Sequence, residues 1–404
     1  MNLICSTLAS LSVLPVKWRD VGPGYNTGEH GRYHHHGGKM VDVAIVGAEL
    51  MGTATAYPLA DNGHRVRLVG THLDGEIIGR CKEEGYHPKL KRKLPEVVRP
   101  YYVEEIGEAL EGVQVIVSGV NSLGAHWIGK ALAPHIRPGQ TVIGITKGLE
   151  AGADGDLVIL PDVLRGELPE GVRDQVHYAA VGGPCIAGEL AGRRQSCVVF
   201  GSREMEIAEM LAGVFGTAYY HIWTTTELVG LEFCAALKNA YTLAVGLSGG
   251  ILESRGGVDA AGAYMHNLAA ATFAQSVAEI GRVLEIAGRP RDFAASAFAA
   301  SAFAASLPGA GDMYVTSVGG RTIGLGRLLG LGHSYSEARQ IMAGETLEGA
   351  EIVKVMSAVL PRLEARGVLG AGELPLMRTL IDIIVHAGKP ELPLEAFFGG
   401  RGWL

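Results

Sequence analysis

Residues 41–70 read VDVAIVGAELMGTATAYPLADNGHRVRLVG, and this stretch decides the fold. Val43 to Val46 is a short apolar run rich in β-branched residues. It stops at Gly47, and Gly52 follows. Small and apolar residues at helical spacing come next, then Asn62-Gly63, then a second strand from Val66 to Val69. Strand, glycine turn, helix and strand within about 30 residues make a dinucleotide-binding βαβ unit. The turn exposes backbone N–H groups at a helix N-terminus, where a pyrophosphate meets the positive end of the helix dipole. The pattern departs from G-x-G-x-x-G at its middle position, which is Glu49. A carboxylate there crowds and repels a pyrophosphate unless it turns away. An ordinary strand–turn–helix can also carry Gly47 and Gly52, so the motif alone leaves cofactor binding open.

Composition narrows the classes. The chain has 404 residues, 48% of them hydrophobic, and a net charge of −7 from 35 basic and 42 acidic residues. Basic and acidic residues are mixed, without a basic stripe or acidic tail, which argues against nucleic acid or a membrane surface as partner. No apolar run reaches the ~18–20 residues of a membrane span. Cys5, Cys81, Cys185, Cys197 and Cys234 are widely spaced, which suits free thiols in a reducing cytoplasm.

Residues 1–39 read as a disordered extension or a start-site artefact, since Pro23 to Gly38 has no period and Met40 stands before the first strand. His34, His35 and His36 read as an exposed run and not as a metal site, and no metal is expected. Between the second strand and Pro100 the chain is polar and charged. A short helix over 104–110, strands over 113–117, 141–145, 178–181 and 196–200, and a helix over 127–132 continue an alternating pattern. That pattern predicts an α/β domain over 40–225, a Rossmann-type, mostly parallel sheet with helices on both faces. From residue 226 to 404 Ala-rich helical segments dominate, over 228–245, 268–287, 335–343 and 349–366, so an all-helical substrate domain is expected there. Phe293, Phe298 and Phe303 each begin a Phe-Ala-Ala-Ser-like unit, read as a local helical insertion or extended loop.

Ligands in such sheets bind beyond the strand ends, where Gly47, Asn121-Ser122, Lys147 and Gly183-Pro184 fall. Lys238 lies in an apolar helical context, Leu231 to Ala240. A lysine there is either a snorkelling surface residue or a partly buried ammonium that shares its proton with a substrate oxygen. Arg321 follows Gly319-Gly320, and an arginine on a glycine turn suits bidentate phosphate capture as well as plain solvation.

Read jointly, the segments resemble the glycerol-3-phosphate dehydrogenase family over Val41 to about Gly388. Thr146-Lys147-Gly148-Leu149-Glu150 resembles its T-K-G-(I/L)-E segment. Gly183-Pro184 with Ala187 and Glu189-Leu190, Leu237-Lys238-Asn239, Asn267 with Ala270-Ala271, Gly311-Asp312 with Thr316 and Gly319-Gly320-Arg321, and Leu347-Glu348-Gly349 match its further motifs in order. The resemblance implies an NAD- or NADP-dependent dehydrogenase acting on a small phosphorylated polyol, by default sn-glycerol 3-phosphate and dihydroxyacetone phosphate. It implies Lys238 as general acid/base, with Lys147 and Asp312 beside it. It places Lys147, Gly183, Asn239, Asp312, Thr316, Arg321 and Thr322 around the substrate. It places Gly47, Ala48, Leu50, Met51, Gly52, Lys147, Ala187, Arg321 and Glu348 toward the cofactor. A cytoplasmic homodimer is the expected assembly.

The sequence departs from the family at Glu49, at Thr322 where an asparagine is usual, at Gly182 and Cys185 where hydroxyl residues are usual, and in the Phe-Ala-Ala-Ser insertion. The rival readings are a member retuned to another polyol phosphate or hydroxy acid, or a non-catalytic cofactor-binding scaffold. Gly70, Thr71 and His72 follow the second strand and the first acid is Asp74, so neither an NAD-type acid nor an NADP-type arginine stands clearly in place.

Overall fold

The computed structural model describes residues 40–257, 266–287 and 297–397. The N-terminal extension with its histidine run, and Phe293 of the repeat, lie outside the described residues.

Apolar runs punctuated by glycine build an eight-stranded sheet. The chain enters through β1 (Asp42–Val46), turns through α1 (Leu50–Ala54) and α2 (Ala56–Asp61), and lays β2 (Arg65–Val69) parallel beside β1. The polar span that follows is more structured than its composition suggests. It forms α3 (Gly75–Glu84), a hairpin of β3 (Tyr86–His87) and β4 (Arg92–Lys93), and β5 (Val98–Tyr101), which pairs with β2. Pro100 hides this strand from a sequence reading, and β5 is the sheet edge, where a proline is tolerated.

After α4 (Ile106–Ala109) the chain crosses back, and β6 (Val115–Ser118) pairs with the other side of β1. Next come α5 (Ala125–Leu132), β7 (Thr141–Gly144), and a small hairpin of β8 (Leu149–Ala151) and β9 (Leu157–Ile159). Then α6 (Leu160–Glu167) and α7 (Glu170–Arg173) lead to β10 (His177–Gly182), parallel to β7. Past α8 (Ala187–Ala191), β11 (Ser196–Ser202) runs antiparallel to β10. Past α9 (Met205–Phe215), β12 (Tyr220–Thr225) closes the far edge parallel to β11. The order is β12-β11-β10-β7-β6-β1-β2-β5, a mostly parallel sheet whose last two strands are reversed. The strand order switches direction at β1, so the crevice for a ligand opens beyond Val46 and Ser118.

Among the described residues no strand follows Thr225. The helical part comprises α10 (Leu228–Ser254), α11 (Asn267–Ala287), α12 (Ala297–Ala304), α13 (Asp312–Val318) and α14 (Arg321–Gly330). It ends with α15 (Tyr335–Ile341), α16 (Glu348–Ala365) and α17 (Pro375–Val385). The end of the Phe-Ala-Ala-Ser repeat is helical, and Phe303 is buried on α12. The long helix α10 is apolar enough in length and composition to cross a membrane, yet 94% of its apolar window is buried within the fold. It is the axis of the helical core, contacted by α11, α13, α14 and α16. Its closest neighbour is α14. A Cβ on Gly246 would lie 2.3 Å from the Ile323 carbonyl oxygen, and one on Gly326 would lie 2.1 Å from that of Leu243. These two backbones touch because glycines leave nothing between them.

Candidate active site

The glycine turn is shaped by a third glycine. Gly47 has φ +115°, and a Cβ there would strike the backbone of Gly119, which follows β6, at 2.5 Å. A Cβ on Gly52 would lie 2.3 Å from the Gly47 carbonyl oxygen. Two strand ends and a helix thus meet without side chains between them, leaving a cradle that a Cβ would fill. Ala48 is fully buried, and both its backbone groups are engaged. Its N–H donates to Asp74 Oδ2 at 3.2 Å, and its carbonyl accepts from His87 Nε2 at 2.7 Å. His87 Nδ1 accepts the Leu90 N–H at 3.0 Å, which puts the ring proton on Nε2, and burial holds this imidazole below its usual pKa. Asp74 also takes the Thr71 N–H and hydroxyl at 2.8 Å each. This acid is buried and spent on the turn. Neither it nor His87 stood out in the sequence as a support for the glycine loop.

Glu49 sits at the N-terminal cap of α1, and its side chain caps no helix N–H. The carboxylate pairs instead with Lys89 on the β3–β4 hairpin, both groups half exposed. The amides of Leu50 and Met51 are therefore in the first helical turn, where no intrahelical acceptor exists. Leu50 is exposed and Met51 half-buried beside the sheet core.

Beyond β7 lies the cluster that brings the sequence candidates together. Asp312 opens α13, is 1% exposed, and divides its carboxylate between two ammonium groups. Oδ2 accepts from Lys147 Nζ at 2.5 Å, and Oδ1 accepts from Lys238 Nζ at 2.9 Å. Lys238 also donates to Thr316 Oγ1 at 2.6 Å, while the Thr316 hydroxyl donates to the Asp312 carbonyl at 2.7 Å. With two of its three N–H groups placed, Lys238 retains one donor. The Lys238 side chain is 6% exposed and that of Lys147 is 20% exposed. The snorkelling alternative therefore does not describe Lys238.

The electrostatics follow from burial. Desolvation pulls Lys238 down to about 8, opposed by Asp312 and reinforced by the charge of Lys147. Burial also presses on Lys147, but the charge and hydrogen bond of Asp312 outweigh it and hold its pKa above the ordinary lysine value. Burial would raise Asp312, and the two ammonium groups reverse that and keep it below the usual carboxylate range. Cys185 stands near Lys147, and burial pushes its thiol up to about 12, so it stays protonated.

The remaining candidates form the rim. Asn239 Nδ2 donates to Glu348 Oε2 at 3.2 Å, which ties α10 to the start of α16. Gly183 has φ +126° and packs on the backbone of β11. A Cβ on Gly182 would lie 2.6 Å from the Leu231 terminal methyl, so a larger residue at this departure needs the Leu231 side chain to move. Ala187 begins α8, which packs against α1. Arg321 is not drawn into the lysine cluster. It begins α14 after Gly320 and is exposed, 3.5 Å from Glu345. Thr322 turns its methyl toward Gly349.

A side-chain-free turn at the switch point of a parallel sheet suits a dinucleotide, and buried ammonium groups nearby suit an oxygen that gains or loses a proton. The molecule is of the NAD(P)-dependent dehydrogenase class that acts on a CH–OH group. Residues 42–208 match the model of the NAD-dependent glycerol-3-phosphate dehydrogenase N-terminus, and residues 227–395 match that of its C-terminus. The chain belongs to this family. An NADP(+)-dependent glycerol-3-phosphate dehydrogenase from Archaeoglobus fulgidus is 33% identical over 298 residues, covering 74% of this chain and 82% of the relative. A glycerol-3-phosphate dehydrogenase [NAD(P)+] from Bacillus cereus is 29% identical over 365 residues, covering 89% and 96%. The crystal structure of glycerol-3-phosphate dehydrogenase from Coxiella burnetii shares the fold, with a TM-score of 0.70 at 24% identity over 89% of this chain and 98% of that one.

Proposed function

We propose that the chain interconverts sn-glycerol 3-phosphate and dihydroxyacetone phosphate, with Lys238 as general acid/base. The observation that carries this reading is the single buried carboxylate of Asp312 gripping both Lys147 and Lys238. Nicotinamide, when bound, supplies or accepts the hydride at the carbon that bears the oxygen. Negative charge develops on that oxygen during reduction, and Lys238 gives it a proton. Its lowered pKa makes that transfer easier than for an ordinary lysine. Lys147 keeps its charge and stabilises the same oxygen electrostatically. Asp312 and Thr316 aim the ammonium, and Asn239 with Glu348 borders the pocket. Gly47, Leu50, Met51 and Gly52 would hold the pyrophosphate, and Ala187, Arg321 and Glu348 would face the cofactor from the other side. Ala48 serves by shaping the turn, since both its backbone groups are engaged. Residues 40–225 and 226–404 are the proposed domains, with the pocket between them.

The second reading keeps the chemistry and changes the ligand. Thr322, Gly182 and Cys185 remove an amide and two hydroxyls from the pocket edge, which favours a different polyol phosphate or hydroxy acid. Glu49 is the main argument for a non-catalytic scaffold, and its ion pair with Lys89 supports the catalytic reading instead by turning the carboxylate aside. The test is a screen of glycerol 3-phosphate, dihydroxyacetone phosphate and related polyol phosphates and hydroxy acids with NADH and NADPH, followed by nicotinamide absorbance. Turnover only with a non-phosphorylated hydroxy acid would overturn the default substrate.

A further inference from the structure

Glu232 is the other charged residue inside the apolar run of α10, and it does not share the face of Lys238. Positions 232 and 238 fall on different faces of the helix. Glu232 is 1% exposed, and neither carboxyl oxygen makes a hydrogen bond. The Leu160 N–H, at the start of α6, faces it without full hydrogen-bond geometry. Glu232 lines a cavity of about 20 Å³ behind β7, together with Ser118, Gly144, Thr146 and Tyr178. That is room for one water; the walls are mostly apolar, with Val142, Leu160 and Leu164 among them, and Glu232, Ser118 and Thr146 are the polar residues left to meet it.

The groups facing Glu232 are few. Asp162 on α6, already paired with Arg203, disfavours its ionised form, while Lys147, beyond β7, favours it. Tyr178 from β10 donates its hydroxyl to the Arg173 carbonyl. Burial dominates and raises the Glu232 carboxyl to about 8, so it is neutral at pH 7. Thr146 gives its hydroxyl proton to the Val120 carbonyl at 2.5 Å, which leaves the oxygen free to accept. Lys147 is the next residue.

We propose that Glu232 is a positioning residue for the reaction, a neutral carboxylic acid that reaches Thr146 through one cavity water and so fixes the direction of Lys147. Its ionisation leaves a carboxylate alone in an apolar pocket and draws the Lys147 ammonium back from Asp312. No bond to substrate or cofactor is involved. The inference rests on the reading of Lys147 and Lys238 as the reacting centre.

The test has a spectroscopic arm and a kinetic arm, both on the full chain. The infrared carbonyl band of a protonated carboxyl should be present at pH 7, vanish with a midpoint of about pH 8, and be missing from Glu232→Gln. This arm is independent of turnover, so it separates failure of this inference from failure of the proposed activity. Glu232→Gln stays neutral at every pH and should keep kcat near pH 7 within about twofold, with a shallower alkaline loss than wild type. Glu232→Leu and Thr146→Val should each lower kcat more than KM, and together no further than the worse single change. Thermal unfolding of each variant identifies a folding failure, and Glu232→Gln then carries the kinetic test. No band at pH 7, an unchanged alkaline limb in Glu232→Gln, full activity in Glu232→Leu, or multiplying effects in the double variant would each overturn the proposal.

Discussion

Lys147 and Lys238 meet on opposite oxygens of one carboxylate, at 2.5 Å and 2.9 Å from Asp312. Two ammonium groups so close would repel each other in a buried site, and the shared anion is what keeps both there. Asp312→Asn preserves shape and removes the charge. Turnover should fall at least about 100-fold. The pH at which reduction is half lost should move down, because Lys238 loses the partner that raises its pKa. Rate–pH profiles of the two proteins check both effects.

If Lys238 is the general acid/base as proposed, the same lysine sets the pH dependence of the wild-type enzyme. Reduction needs Lys238 protonated, so it should decline as pH rises through about 8. Oxidation needs Lys238 neutral and should rise through the same value. Measuring kcat in both directions across this range tests the assignment, and parallel profiles would contradict it.

Lys238→Ala should nearly abolish turnover and leave cofactor affinity intact. Lys238→Arg keeps the charge but does not release a proton readily, so it should fail as well. A loss smaller than about tenfold in either variant is less than general acid–base catalysis normally contributes and would show the role misassigned.

Glu49→Gly should change the dissociation constant for NADH or NADPH by less than about tenfold, or ~1.4 kcal/mol. The carboxylate is already engaged by Lys89 and does not cap the helix N–H groups. Titration by fluorescence quenching measures it. A gain of about a hundredfold would mean that the carboxylate still repels the pyrophosphate.

Thr322→Asn should tighten dihydroxyacetone phosphate if that is the substrate, since a hydrogen bond to a charged group contributes about 1.5–3 kcal/mol. The KM for this ketone is the readout. Loss of activity on the natural substrate would show that Thr322, packed toward Gly349, is fitted to another ligand.

Much of this was legible in the sequence for a physical reason. Val43–Val46, Gly47 and Gly52 encode strand and turn locally, and Lys238 is conspicuous because an ammonium among Leu237, Ala236 and Ala240 must find a partner. β5 was hidden because Pro100 argues against a strand unless the strand is known to be an edge. Asp74 and His87 were missed because their partner is a backbone N–H and C=O of Ala48, far away in the chain. Glu232 carried the same signal as Lys238, a lone charge in an apolar helix, but its meaning depends on a cavity that only the packing of β7 and α6 creates.

The contact between α10 and α14 sets a length. Lys238 rides on one helix, and Arg321 and Thr322 open the other. Main chain meets main chain at Gly246 and Gly326, so there is no side chain between them to trim, and a Cβ added at either position would force the two helices apart. If Lys238 gives the proton as proposed, its distance to the first turn of α14 is a ruler cast in backbone. On that reading, substrates that differ in the number of carbons between their oxygen and their anionic end would be measured against it.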